Sequence, residues 1–435
     1  MAKLPEDRSE SGFQDFKPAW DRHQSIVEAN RCLFCEDAPC TIACPTHIDI
    51  PQFIRKIATD NVRGSARTIF DSNILGMSCA RVCPVEVLCV GDCVFNEMDQ
   101  PPIQIGKLQR YATDIAFDQG WRFFEAGADT GKSVGIIGAG PAGLACAHEL
   151  RRQGHGVTIY EKREVNGGLN TTGVAPYKMR ADRAIDEAEW VLGIGGIEVV
   201  HGVEIGKDLS WAELDAKHDA LFLGVGLGPD TPMGLEGEDL PGVYGAVDWI
   251  EKMKTGLVDL DHVAHAVVIG GGNTAVDCVR ELVGLGVPVV TMVYRRTEAE
   301  MPGYSHEWRA AVIDGVTPLW RSLPTAWVGA DRLERVRVTA LDAACRPLDD
   351  SEEEIDCDLA LLAIGQAKLR DLVAGLDGVS TDSKGRVVVD DAMATGRAGV
   401  YAGGDCVNGG KEVVNGAADG KLAALGIHAW LSTSS

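Results

Sequence analysis

Two stretches of this chain follow one plan, and that plan limits the fold more tightly than anything else in it. "SVGIIGAGPAGLACAHELRRQGHGVTIYEK" (133–162) reads as strand, glycine turn, helix and strand. "HAVVIGGGNTAVDCVRELVGLGVPVVTMVYRR" (265–296) repeats the order about 130 residues later. A strand that returns parallel to its neighbour through a helix belongs in a sheet covered on both faces, so the expected class is α/β. At 435 residues the chain is long for a single core, and two or three domains are expected.

The turns carry chemistry as well as geometry. The strand 134–137 delivers the chain into Gly138-Ala139-Gly140-Pro141-Ala142-Gly143, the G-x-G-x-x-G pattern. Its first glycine makes the turn, its second admits a pyrophosphate, and its third lets the helix pack on the strand. The helix from about 141 points its partial positive end at the phosphates. The next strand ends at Glu161, where a carboxylate can grip ribose hydroxyls. A glycine turn that merely packs would leave Glu161 without a reason.

The second unit carries Gly270-Gly271-Gly272-Asn273-Thr274-Ala275, a G-x-G-x-x-A variant, and its second strand ends in Arg295 and Arg296. Paired guanidinium groups suit a ribose 2′-phosphate and favour NADPH over NADH, whereas solvated surface arginines would carry no such meaning. Two nucleotide sites in one chain suggest a flavin in one and a nicotinamide in the other. "ALFLGVGLG" (220–228) and "LALLAIGQ" (359–366) are strands running into glycine, the second reaching Gly365. "GVYAGGDCV" (399–407) sets Asp405 between a strand and the helical run "EVVNGAADGKLAALGIHAWL", whose first turn holds Val413 and Val414. An acid there can bond ribityl hydroxyls, with the helix start facing the isoalloxazine.

The texture before residue 125 is different. It holds eight of the 13 cysteines and short helical patterns such as "PQFIRKIATDNVRGSARTIF", and "EAGADTGK" reads as a linker behind it. Cys32, Cys35, Cys40 and Cys44 follow C-x2-C-x4-C-x3-C-P spacing, and Cys79, Cys83, Cys89 and Cys93 form a second run with a proline after Cys83. Such spacing resembles the ligand runs of bacterial [4Fe–4S] ferredoxins. Two clusters need eight ligands, and simple arithmetic would use all eight thiols. Structural zinc is the competing use of a C-x2-C pair, but zinc fingers rarely show the longer pattern.

A net charge of −23 argues against nucleic acid or an anionic membrane as partner. The opening "MAKLPEDRSESGFQDF" is polar and unlike a signal peptide, and no apolar run is long enough to span a bilayer. A cytoplasmic location is expected, where grouped cysteines mean metal or redox chemistry. No Ser/His/Asp set or metal-hydrolase motif appears, and no acid–base catalyst is expected.

Gly138–Gly143, Glu161, "GGLNTTGVAPYK" (167–178), the second glycine turn and "GGDCV" together resemble the two-dinucleotide-binding-domain flavoprotein reductases. Nearly the whole chain is similar to the glutamate synthase small subunit and the N-terminal half of dihydropyrimidine dehydrogenase. The resemblance implies a helical two-cluster domain at 1–128, an FAD domain at 129–229 resuming at 367–435, and an inserted NAD(P)H domain at 230–366. It assigns the first turn to FAD, together with Gly168, Leu169, Lys178, Asp405, Val413 and Val414. The second turn, Arg295, Arg296 and Gly365 fall to NAD(P)H. It also implies that one cluster takes Cys32, Cys35, Cys40 and Cys93, and the other Cys44, Cys83, Cys89 and Gln109. Cys79 is then left over, unless it replaces Gln109.

The implied function is an electron-transfer subunit, in which NAD(P)H, FAD and two clusters serve a catalytic partner in a hetero-oligomer. That partner would be of the glutamate synthase, pyrimidine-reducing or aldehyde oxidoreductase type. The alternative is a self-contained reductase of a ferredoxin or a disulfide. A disulfide reductase would need a C-x-x-C beside the flavin, and the C-x-x-C here, Cys32 to Cys35, stands in the cluster domain.

Overall fold

The computed structural model describes residues 4–433. Residues 1–3 and 434–435, the outer ends of the first and last expected segments, lie outside the described residues.

The N-terminal part is helical for reasons legible in its sequence. In Ile50–Ala58, Ile50, Phe53, Ile54 and Ile57 recur at helical spacing, and all four are buried. The Asp49 side chain accepts from the Gln52 N–H at 3.1 Å, capping that helix, and Asn61 caps Val62–Ser72 by accepting from the Gly64 N–H at 2.9 Å. Helices Gly76–Val82 and Ile105–Asp118 pack together behind them.

Strands β1 (Ser133–Ile137), β2 (Gly156–Glu161), β3 (Ile197–His201) and β4 (Ala220–Leu223) form a parallel sheet. The chain then leaves it. Strands β5 (Val243–Gly245), β6 (His265–Ile269), β7 (Val289–Tyr294) and β8 (Thr317–Trp320) build most of a second parallel sheet. An antiparallel excursion follows, β9 (Ser322–Val328), β10 (Arg335–Ala340) and β11 (Glu353–Asp356), before β12 (Leu359–Leu362) enters the second sheet between β5 and β6. Finally β13 (Val400–Ala402) returns to the first sheet beside β4, giving the order β13-β4-β1-β2-β3. Each unit is thus doubly wound, and the second is inserted in the first.

The antiparallel sheet is absent from the sequence reading. Its strands carry charges on the exposed face, and its inner residues Trp327, Val336 and Val338 share a core with Val267 and Ile269 of β6. A different surprise is that the helical domain has no separate core. Phe53, Ile69 and Leu108 belong to the same buried cluster as Val134, Ile136 and Leu150 of the first sheet and its helix. Among the described residues, no helix is long and apolar enough to cross a membrane.

His148, on helix Pro141–Arg152, is 5 % exposed and makes an edge contact with Phe124. Burial, assisted by Arg152 and Lys421, pulls its pKa down from 6.5 to about 3. The unfolded chain therefore binds the extra proton first, and stability falls as pH drops below 6.5. The linked loss between pH 7.5 and 5.5 is about 1.4 kcal/mol. Denaturant unfolding at both pH values should show the wild type losing about 1.4 kcal/mol more than His148→Leu as pH falls; equal changes in the two proteins would contradict the assignment.

Candidate functional site

The carboxyl ends of both parallel sheets open into one cleft of about 980 Å³, the position where doubly wound sheets bind nucleotides. Glu161, Asp405 and the first glycine turn line it from the first unit, and Asn273, Thr274 and Gly365 from the second.

The glycines of the first turn divide into two kinds. A Cβ on Gly138, where φ is +100°, would stand 2.5 Å from Gly224 O, and one on Gly143 would stand 2.0 Å from Gly138 O. Those two are required by the protein's own packing. Gly140 is different: its Cβ direction meets nothing nearer than Gly168 Cα at 4.0 Å. The second turn repeats the division, with Gly270 against Ala363 O at 2.3 Å and open space at Gly272. The open position in each turn is the one a pyrophosphate would use, so both cradles fit a dinucleotide.

Around the first turn, the buried Glu161 carboxylate accepts the N–H of Ala139 at 2.8 Å and of Arg163 at 2.9 Å. These bonds orient it into the cleft, and its remaining lone pairs suit ribose hydroxyls. Pro141, Ala142, Gly168 and Leu169 line the same wall. Asp405 opens a short helix, Asp405–Asn408, that the sequence reading lacks, and accepts from the Lys411 N–H at 3.2 Å. Burial raises its pKa. Val413 lines the cleft, while Val414 is buried in the core at the start of Val413–Thr433.

Lys178 reaches the cleft but is not a free cation. Burial opposes its charge, yet Asp277 and Glu307, each at 2.8 Å, hold it above the ordinary lysine range. In the second unit Ala275 is fully buried, and Asn273 Oδ1 accepts from the Tyr304 N–H at 2.9 Å. Arg295 and Arg296 are exposed just beyond β7, outside the cleft lining, and neither has an ion pair among the described residues.

The eight grouped thiols gather into two neighbouring sets. Cys40 has Cys32, Cys93 and Cys35 around it, and Cys32 has Cys35 and Cys93. Cys83 stands beside Cys79, Cys89 and Cys44, and Cys89 faces both Cys44 and Cys40. Burial, with Cys32 and Cys93 close by, pushes the Cys40 thiol up to about 12. Crowded thiols of this kind ionise only when a cation joins them, which is the chemistry of an iron–sulfur ligand set. Among the described residues no three His, Cys, Asp or Glu side chains are arranged for a single metal ion.

Gln109 is buried, and its Nε2 donates to Gly76 O at 2.7 Å. A carbonyl can only accept, so the amide is oriented and Oε1 is the atom left for a metal. Val82 and Pro84, which flank Cys83, line the nucleotide cleft. Asn170, also in the lining, donates to Ser78 Oγ at 2.9 Å on the helix that precedes Cys83.

Sequence reasoning missed Tyr304, Glu307, Glu412 and Asp277, all in the cleft lining. The turn-forming "MPGYSHE" was the available signal, but a proline–glycine turn does not name its distant partners.

Residues 8–121 match the family model described as dihydropyrimidine dehydrogenase domain II, 4Fe-4S cluster. Residues 132–420 match the model described as pyridine nucleotide-disulphide oxidoreductase. The chain is 34% identical to the glutamate synthase [NADPH] small chain of Escherichia coli over 96% of its own length and 94% of that protein's. It is equally 34% identical to the NAD-dependent dihydropyrimidine dehydrogenase subunit PreT of the same organism, over 96% and 97%. FprA of Mycobacterium tuberculosis in complex with NADPH is similar in fold, with a TM-score of 0.57 and 19% identity, across 70% of this chain and 85% of that one. Lactococcus lactis thioredoxin reductase gives a TM-score of 0.54 and 20% identity, across 69% and 99%.

Proposed function

The chain belongs to the family of glutamate synthase small chains and PreT-type dihydropyrimidine dehydrogenase subunits, and on that footing we propose that it is the electron-transfer subunit of a redox complex. It is an FAD-dependent NAD(P)H oxidoreductase with an iron–sulfur domain. In the proposed division, residues 1–128 carry two [4Fe–4S] clusters, 129–229 with 367–435 bind FAD, and 230–366 bind NAD(P)H. Flavin supplies the exchange between paired and single electrons that nicotinamide and clusters cannot make directly.

One observation carries the reading: a single cleft wall runs from both glycine turns to the residues flanking Cys83. Cys83 stands between two of these lining residues, which supports assigning the cluster of Cys44, Cys83, Cys89 and Gln109 to the cleft side. The Cys32–Cys35–Cys40–Cys93 set lies beyond it, and three of its thiols are half-buried where the others are buried. That order gives electrons a path between the cleft and the surface. In the first unit, Glu161 and Asp405 hold hydroxyls and Gly140 admits the pyrophosphate. In the second, Gly272, Asn273, Thr274 and Gly365 hold the nicotinamide dinucleotide. The catalytic partner, in a hetero-oligomer, supplies the site where substrate is reduced or oxidised. A cytoplasmic setting suits the reduced thiols.

Anaerobic titration tests the reading. NADPH should bleach the flavin absorbance and then the brown cluster absorbance, and NADH should do so less effectively. Replacing Arg295 and Arg296 together by alanine should raise the half-saturating NADPH concentration about tenfold and leave that for NADH unchanged. Failure of both nucleotides to bleach the flavin would overturn the function. A variant whose half-saturating NADPH concentration matches that of the wild type would overturn only the assignment of the two arginines.

A further inference from the structure

Three side chains within four residues of the nicotinamide unit each reach a different part of the molecule. Tyr304 OH donates to Glu412 Oε1 at 2.7 Å, one residue before the helix that closes the flavin site. Glu307 accepts from Lys178 of the flavin unit, with Nζ 2.8 Å from Oε1 and 2.9 Å from Oε2. His306 Nε2 lies 3.4 Å from Oε2 of Glu86, in the loop between Cys83 and Cys89. The Tyr304 and His306 rings are stacked 5.8 Å apart. The same segment is tied to the nucleotide turn, because the Tyr304 N–H donates to Asn273 Oδ1.

We infer that Tyr304, His306 and Glu307 are positioning residues that dock the nicotinamide unit onto the flavin unit and the cysteine loop at once. The inference rests on the assignment of the two turns to FAD and NAD(P)H. The two units are joined through two chain crossings, after β4 and after β12, and a two-strand connection of this kind permits rotation. The dock opposes it with contacts that are substantially withdrawn from water: the Lys178, Asp277 and Glu307 side chains are 14, 14 and 10 % exposed. Breaking one partner of such a buried charged set leaves the other uncompensated, so the dock holds or opens as a unit.

The dock also links the two sites in series. Asn273 lines the nicotinamide side of the cleft and holds Tyr304, and Tyr304 holds Glu412 beside the flavin helix. The spacing of the two dinucleotides is thereby set by the protein before either binds. Hydride transfer depends steeply on such spacing, whereas binding of each dinucleotide to its own turn does not.

The test uses the FAD- and iron-loaded protein and the double variant Tyr304→Phe/Glu307→Gln, with Tyr304→Phe alone as the milder second variant. Stopped-flow bleaching of the flavin by saturating NADPH should slow at least tenfold in the double variant and about threefold in the single one, with NADPH affinity within twofold of wild type. Small-angle X-ray scattering should show a larger radius of gyration for the double variant, and trypsin should cleave sooner near Lys368, beyond the second crossing. Wild-type rate and scattering in the double variant would overturn the dock while leaving the electron-transfer reading intact. A wild-type protein that NADPH does not bleach would instead remove the reading on which the dock rests.

Discussion

Gly140→Val is expected to yield a folded protein that has lost its yellow colour. The backbone at Gly140, with φ −75° and ψ −177°, is one any residue adopts, and the Cβ direction is open to 4.0 Å. The new methyl groups therefore cost the apoprotein little. They occupy the space where a pyrophosphate approaches the backbone, and FAD affinity should fall by at least about 100-fold, or roughly 2.7 kcal/mol. Flavin content after purification and the melting temperature of wild-type and variant apoproteins are the measurements. Gly143→Ala is the contrasting variant: its Cβ would meet Gly138 O at 2.0 Å, so the apoprotein itself should melt lower. Stoichiometric FAD in Gly140→Val would show that the first turn is not the flavin cradle. At the second turn, Gly272→Val should keep FAD and lose reduction by NADPH, since nothing lies within 4 Å of its Cβ either.

Cys83→Ser should halve the iron of anaerobically reconstituted protein, from roughly eight to roughly four atoms per chain, with an equal loss of acid-labile sulfide. A hydroxyl is a poor substitute for a thiolate, and a cluster short of one ligand is lost as a whole. The companion variants separate the two candidates for the fourth ligand of that set. Cys79 stands next to Cys83, and Gln109 has its nitrogen engaged by Gly76 O and its oxygen available. Gln109→Ala should lower iron toward the Cys83→Ser value, while Cys79→Ala should leave it unchanged. The reverse pattern would make Cys79 the ligand. Iron unchanged at roughly eight atoms in Cys83→Ser would exclude Cys83 as a ligand, and roughly four atoms in the wild type would remove the second cluster altogether.

Much of the site was readable because its signals are local. The two glycine turns, Glu161 at the end of β2 and the cysteine spacings are each set by neighbours within about thirty residues, and the chemistry requires those residue types at those offsets. Asp405 was legible for the same reason, although the short helix it begins was not. Lys178 was expected to line the flavin site and does reach the cleft, but its partners Asp277 and Glu307 stand 99 and 129 residues away. No period or motif connects such positions.

The polypeptide's own order of residues was enough to establish the doubled strand–turn–helix plan, the acid behind the first turn and the arginines behind the second. Backbone sterics and phosphate charge act over a few residues, and a linear string displays them directly. Folding in three dimensions settled the rest. It merged the helical domain's core with that of the first sheet, brought the residues flanking Cys83 to the nucleotide cleft, and placed Tyr304, His306 and Glu307 against three separate parts of the chain. Those relations come from burial of apolar faces and pairing of desolvated charges between segments far apart in sequence, and such contacts exist only once the whole chain has packed.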